Sequence, residues 1–154
     1  MLFRSRVLQG SEVVTRDDDI STVSVPWNLH TAQTLAGLSF KNIPSPIHRD
    51  YSWPGLYDPF AHQRATAEFL TLHPRAYCFN EQGTGKTASA IWASDYLLNH
   101  RFIKRVLVVC PLSIMQAAWQ RDLFTFAAHR TVGIAHGTKE KRTQVINGDY
   151  DYVI

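Results

Sequence analysis

Cysteine is scarce in this chain: only Cys78 and Cys110 occur in 154 residues, each at the end of an apolar run. No secretory signal pattern is present, and no apolar run reaches the roughly eighteen residues that span a bilayer. The expectation is a soluble protein of a reducing compartment, cytoplasmic and including the nucleoid or a host cytoplasm. Cysteine and histidine nowhere stand at metal-ligand spacing, and the seven histidines are scattered, so no metal site built by the chain alone is expected. Internal repeats and low-complexity tracts are absent too. Charge of one sign is in short supply overall, with a net +3, yet it is unevenly spread. Residues 101–142 carry eight basic side chains (Arg101, Lys104, Arg105, Arg121, Arg130, Lys139, Lys141, Arg142) against Asp122 and Glu140. Such an excess is either an ordinary solvated surface or the footprint of a polyanion.

What the chain does have is a composition that is 45% hydrophobic, enough for one sizeable core with a small element beside it. Residues 1–55 read as a small α+β accessory segment. Short β-branched stretches (Val13, Val14; Val23, Val25) flank an acidic turn at Asp17–Asp19, which suggests a hairpin. Asn28 is suited to cap a helix running to Leu38, because Leu29, Ala32, Leu35 and Ala36 recur at helical spacing. The proline- and aromatic-rich residues 43–55 read as a linker. Residues 56–154 then alternate. The spacing predicts a helix over 60–71, with Asp58 and Pro59 as cap and first turn and with Phe60, Gln63, Ala67 and Leu70 on one face. A strand is expected at 76–79, a helix at 86–98, and a strand buried on both faces at 105–110. A helix at 113–126, a strand at 131–135, a helix at 139–147 and a terminal strand DYVI follow. This alternation implies an α/β fold, a parallel sheet with helices on both sides.

The most specific signal is CFNEQGTGKT, residues 78–87. A loop that holds a triphosphate must bring backbone N–H groups close to several oxygens, which favours residues without a Cβ and with access to positive φ. Gly83 and Gly85 supply both. The loop opens a helix whose first amides and positive dipole end face the phosphates. Lys86 offers a full charge to the β and γ phosphates, and Thr87 a hydroxyl to Mg²⁺. Asn80 stands where the usual Walker A pattern, G-x-x-x-x-G-K-[ST], has its first glycine.

NEQGTGKT, residues 80–87, resembles motif I of superfamily-two helicases, which keeps only the last two glycines. Gln63, in PFAHQRATAEFL, is similar to the glutamine element of the Snf-type (Swi/Snf-like) helicase-related ATPases. VLVVCPLSIMQAAWQRDL, residues 106–123, resembles motif Ia of that group, with a Cys-Pro-Leu-Ser turn and a helix carrying Trp119. AHGTKEKR, residues 135–142, resembles the motif Ib region. The accessory segment looks like the one that precedes the motor in some small phage and bacterial Snf-type proteins. The resemblance implies a RecA-like P-loop NTPase lobe, incomplete, that binds ATP with Mg²⁺ through Gln63, Asn80, Gln82, Gly83, Thr84, Gly85, Lys86 and Thr87. Lys86 and Thr87 are the implied catalytic residues, and Gln63 is implied to read the adenine edge. Pro111, Ser113, Gln116, His136, Gly137, Thr138 and Lys139 are implied to meet the DNA backbone, with Ser113 capping the motif Ia helix. Trp27, Tyr51 and Trp53 are either stacking platforms for bases or packing anchors.

Hydrolysis by such enzymes also needs an Asp-Glu-x-His carboxylate pair and an arginine that stabilises the developing charge. Neither pattern occurs in the 154 residues. The expectation is the N-terminal portion of an ATP-dependent DNA helicase or translocase, inactive alone and completed by the remainder of the motor, including a second RecA-like lobe. The competing readings are a non-catalytic nucleotide- or DNA-binding module, as from a truncated paralogue, and a P-loop phosphotransferase.

Overall fold

The computed structural model describes residues 8, 10–16 and 21–154. The acidic turn at Asp17–Asp19 lies outside them. The stretches on either side form the expected antiparallel hairpin, β1 (Glu12–Arg16) with β2 (Ser21–Ser24). Helix α1 (Leu29–Gly37) begins where the sequence places it, since Asn28 Oδ1 accepts the Thr31 amide at 2.9 Å and satisfies one of the unpaired first-turn donors. A short α2 (Ile47–Asp50) and a three-turn α3 (Ala61–Leu72) follow. The cap of α3 is Phe60, not Asp58: the Gln63 side chain reaches back and accepts the Phe60 amide at 2.9 Å. Phe60 itself is exposed and does not join the apolar face that buries Ala67. Among the described residues no helix is long and apolar enough to cross a membrane.

After α4 (Lys86–Asn99) comes β3 (Val106–Leu107). One continuous helical stretch then comprises α5 (Leu112–Ile114), a π-helical segment (Met115–Gln120) and α6 (Arg121–Phe126). β4 (Val132–Gly133), α7 (Lys139–Ile146) and β5 (Tyr152–Val153) complete the chain. The three strands form a parallel sheet in the order β3-β5-β4, so the last strand inserts between the earlier two. Its ladder continues past the strand ends, through Val108 N to Val153 O at 2.8 Å and Ala135 N to Ile154 O at 2.7 Å. The result is a mixed α/β fold.

One strand expectation fails and another holds only in part, for one reason. Residues 76–79 form no ladder, and their rings Tyr77 and Phe79 are 83% and 88% exposed, stacked on each other at 5.7 Å. In 105–110 only one face is covered: Val108 is buried, whereas Leu107 and Val109 are 68% and 88% exposed. Side chains alternate across a strand, and among the described residues no element covers the outer face. A strand exists only by virtue of a neighbour, and an apolar run cannot announce whether the neighbour is there.

The core has two parts, with α4 between them. Ala88, Trp92, Ala93 and Tyr96 pack towards α1, α3 and residues 47–53. Ile91 and Leu98 pack towards Val108, Met115, Leu123, Tyr152 and Ile154. Residues 43–55 are therefore structural and no free linker. Ile47, Tyr51 and Trp53 are buried, Trp53 meets Trp92 edge-on at 5.9 Å, and the Trp92 indole donates to the Pro54 carbonyl at 2.8 Å. Tyr51 and Trp53 thus serve as packing anchors rather than open stacking platforms.

One charge sits inside this core. Asp95, in the middle of α4, is fully buried. Its carboxylate accepts from the Tyr51 hydroxyl at 2.6 Å, from His129 Nε2 at 2.9 Å and from Arg130 Nε. Arg130 also donates to Asn99 Oδ1 at 2.6 Å and lies 3.5 Å from Asp151, which accepts the Thr131 amide. Burial, with Asp95 beside it, pushes the Tyr51 pKa well above the ordinary tyrosine value, so the hydroxyl stays a donor. Removing one partner of a buried ion pair strands the other, at about 3–5 kcal/mol. Asp95→Ala is therefore expected to lose about that much stability in urea unfolding. Tyr51→Phe, which deletes one hydrogen bond to a charged group, is expected to lose about 1.5–3 kcal/mol.

Candidate functional site

The loop before α4 has the geometry its sequence asks for. Gly83 and Gly85 hold φ of +76° and +75°, and Gly85 is the N-cap of α4 with no side chain to satisfy the first turn. The first helical bond is Ser89 N to Gly85 O at 3.0 Å, which leaves the amides at the start of α4 without intrahelical partners. Lys86 curls back over the loop, its ammonium donating to the carbonyls of Asn80 at 2.9 Å and Glu81 at 2.7 Å. Thr84 Oγ1 also donates to Glu81 O, at 2.8 Å. Gln82 is exposed, and Thr87 is half-buried in the first turn of α4.

Helix α3 clamps this loop from the side. Asn80, in the place of a glycine, uses its side-chain amide to donate to Thr66 Oγ1 at 2.8 Å. Gln63 Nε2 donates to the Thr84 carbonyl at 3.4 Å while its Oε1 holds the Phe60 amide. His62 Nε2 lies 3.1 Å from the same Thr84 carbonyl. A carbonyl can only accept, so that nitrogen carries the hydrogen. A Cβ on Gly85 would come within 2.1 Å of Gln63 Nε2, so the far end of that side chain would have to move off the Thr84 carbonyl.

The residues expected to meet DNA fall into two groups. Pro111, Ser113 and Gln116 lie beyond β3, all exposed. Pro111 occupies the cap position, so Ser113 sits inside α5 and makes no capping bond. Trp119 packs on the inner core from the π-helical segment. His136, Gly137, Thr138 and Lys139 lie beyond β4 and are exposed, with Thr138 Oγ1 capping α7 by accepting the Lys141 amide at 3.4 Å. Parallel strands point the same way, so both groups leave the carboxyl edge of the sheet, where open α/β folds place their ligands.

The basic excess is smaller than a count suggests. Arg130 is consumed by Asp95, and Arg105 donates to the carbonyls of Ile146 at 2.8 Å and Gly148 at 3.2 Å. Asp95 with Arg130, His129 and Tyr51 is the polar centre that sequence reasoning missed. An aspartate between a serine and a tyrosine in a helix carries no local mark of burial.

No family model matches the chain, and no curated protein matches it. A solved structure does resemble it, the Sulfolobus solfataricus SWI2/SNF2 ATPase core in complex with dsDNA. The TM-score is 0.55 at 22% identity, over 66% of this chain and 22% of that one. At that identity the likeness is one of fold, and this chain corresponds to about a fifth of the other's length.

The two loop glycines separate experimentally. Gly83→Ala adds only the cost of a left-handed non-glycine residue, about 1–2 kcal/mol, because among the described residues nothing lies within 4 Å of its Cβ position. Gly85→Ala carries the same strain and also displaces the Gln63 carboxamide from its bonds to Phe60 N and Thr84 O, and the larger loss in urea unfolding is expected of it.

Proposed function

We propose that this chain is the ATP-binding part of a Snf-type, superfamily-two DNA helicase or translocase. In this reading residues 56–154 form an incomplete RecA-like P-loop NTPase lobe and residues 1–55 its accessory segment. The observation that carries the reading is the loop at 80–87: two left-handed glycines, a helix N-terminus without a side-chain cap, and a lysine ammonium already holding two oxygens. The fold likeness to an ATPase core supports it.

The donor set fits a nucleotide's phosphates. The first amides of α4 and its dipole favour an anion, and Lys86 would exchange the Asn80 and Glu81 carbonyls for β- and γ-phosphate oxygens. Asn80, Gln82, Gly83, Thr84 and Gly85 form the walls of the cradle, with Gln63 behind them. Thr87 would give its hydroxyl to Mg²⁺, which when bound offsets phosphate charge. The Asp-Glu-x-His pair is supplied by the remainder of the motor, and these 154 residues hydrolyse ATP near background. DNA lies along the carboxyl edge of the sheet, against Pro111, Ser113, Gln116, His136, Gly137, Thr138 and Lys139. Its phosphates are held without reading sequence. The exposed Tyr77, Phe79, Leu107 and Val109 then become interior, covered by further elements of the motor.

A fluorescent ATP analogue should bind wild type with Mg²⁺ and bind Lys86→Ala at least about tenfold more weakly, the loss of one charge-assisted contact set. Equal affinity for the two would sink the assignment. For DNA, Lys139→Ala should weaken binding by similar factors on unrelated sequences and lower the salt slope by about one. A sequence-selective loss would contradict backbone binding.

A further inference from the structure

Helix α7 has little of its own to keep it in place. It is eight residues long and none of them is buried, and a free helix shorter than about 12–15 residues is marginal in water. It starts beyond β4, at the carboxyl edge of the sheet, and ends ahead of β5, at the amino edge. Its second end is where the sheet holds it. Arg105, next to β3, spans two carbonyls, donating from one terminal guanidinium nitrogen to Ile146 O at 2.8 Å and from the other to Gly148 O at 3.2 Å. Ile146 is the last residue of α7, where helix carbonyls lack intrahelical partners and a cation is favoured by the dipole. Among the described residues these are the only side-chain hydrogen bonds that join α7 or Gly148 to the sheet. Val145 and the Tyr150 ring close over Gly133 of β4, where an added Cβ would stand 2.8 Å and 2.7 Å from them. The same ring covers Gly148, at 2.6 Å from a Cβ there.

We propose that Arg105 is a positioning residue for nucleic-acid binding: its two-donor fork fixes the C-terminal end of α7, and through the helix it sets the place of Thr138 and Lys139 at the other end. This rests on the reading above that residues 136–139 meet a DNA backbone. Arg105 stands at the amino end of β3, the opposite edge from those residues, and its guanidinium faces protein carbonyls. It acts on the contact from a distance. A helix is a stiff rod, here about 12 Å long at 1.5 Å per residue, so releasing one end lets the other swing. Lysine in its place would keep the charge and lose the planar fork that spans two acceptors.

The test is titration of a mixed-sequence DNA duplex with wild type, Arg105→Ala, Arg105→Lys, Lys139→Ala and the double variant Arg105→Ala/Lys139→Ala. Arg105→Ala and Lys139→Ala are each expected to weaken binding about fivefold to tenfold at about 0.1 M salt, the counterion-release worth of one phosphate contact. The double variant should be within about twofold of Lys139→Ala alone, because the two losses share one route. Arg105→Lys should bind as Arg105→Ala does. Without DNA, the amides of Arg142 and Asn147, bonded to Thr138 O and Thr143 O, should exchange hydrogen at least about tenfold faster in Arg105→Ala, while those of Tyr152 and Ile154 in the sheet keep their wild-type rates. Arg105 is on the surface, and a thermal melt checks that each variant folds. Losses that multiply in the double variant, or full affinity in Arg105→Lys, would make Arg105 a charge contact in its own right and overturn the positioning role. Arg105→Ala that binds DNA as wild type does overturns it too. Unchanged exchange in α7 overturns the hold on the helix and leaves the DNA reading standing. Wild type that binds no DNA removes that reading and the positioning role with it.

Discussion

The carboxylate of Asp95 is the constraint around which the rest of the molecule is arranged. A charge with no exposure needs a countercharge and hydrogen bonds to replace its water. Asp95 draws these from widely separated places: Tyr51 ahead of the loop at residues 80–87, and His129 and Arg130 just ahead of β4. Arg130 extends the network to Asp151 at the start of β5. Each partner fixes the position of a different layer against α4. The N-terminal segment cannot drift from the helix without freeing the Tyr51 hydroxyl, and β4 and β5 cannot shift without breaking the arginine's geometry.

That constraint reaches the loop at residues 80–87 through the helix. Asp95 lies nine residues after Lys86, about 13 Å along α4 at 1.5 Å per residue. Trp92 and Ile91 bury neighbouring faces of the helix in two different clusters, so its axis is held by both, and its N-terminus arrives at a fixed point. α3, whose Gln63 and His62 grip the Thr84 carbonyl, packs on the same helix. The loop is thus held between two helices.

What could be read from the sequence was whatever a short stretch decides alone. Positive φ at Gly83 and Gly85 is open mainly to residues without a Cβ, and the Asn28 cap rests on a side chain three residues from its partner. What could not be read depended on residues far away. The burial of Asp95 is set by Arg130, thirty-five residues on, and the same pairing removes Arg130 from the surface charge it had been counted in. The openness of Leu107 and Val109, and the missing ladder at 76–79, turn on neighbours that no local pattern specifies. Gln63 lay between these cases: its place beside the loop was legible, but the commitment of both ends of its amide was not. The Ser113 cap missed by two residues, because Pro111 sets the start of that helix.

The tryptophan pair at the centre of the core has an optical consequence. Trp92 is on the helix that begins at Lys86, and Trp53 touches it edge-on from the segment that carries Tyr51. Both indoles are nearly dry, and the Trp53 N–H has no hydrogen-bond partner among the described residues. Indole emission depends on the polarity around the ring and on quenchers within reach. A small tilt of α4 would change both for Trp92, so the protein carries its own ultraviolet gauge of movement in the helix that begins at Lys86.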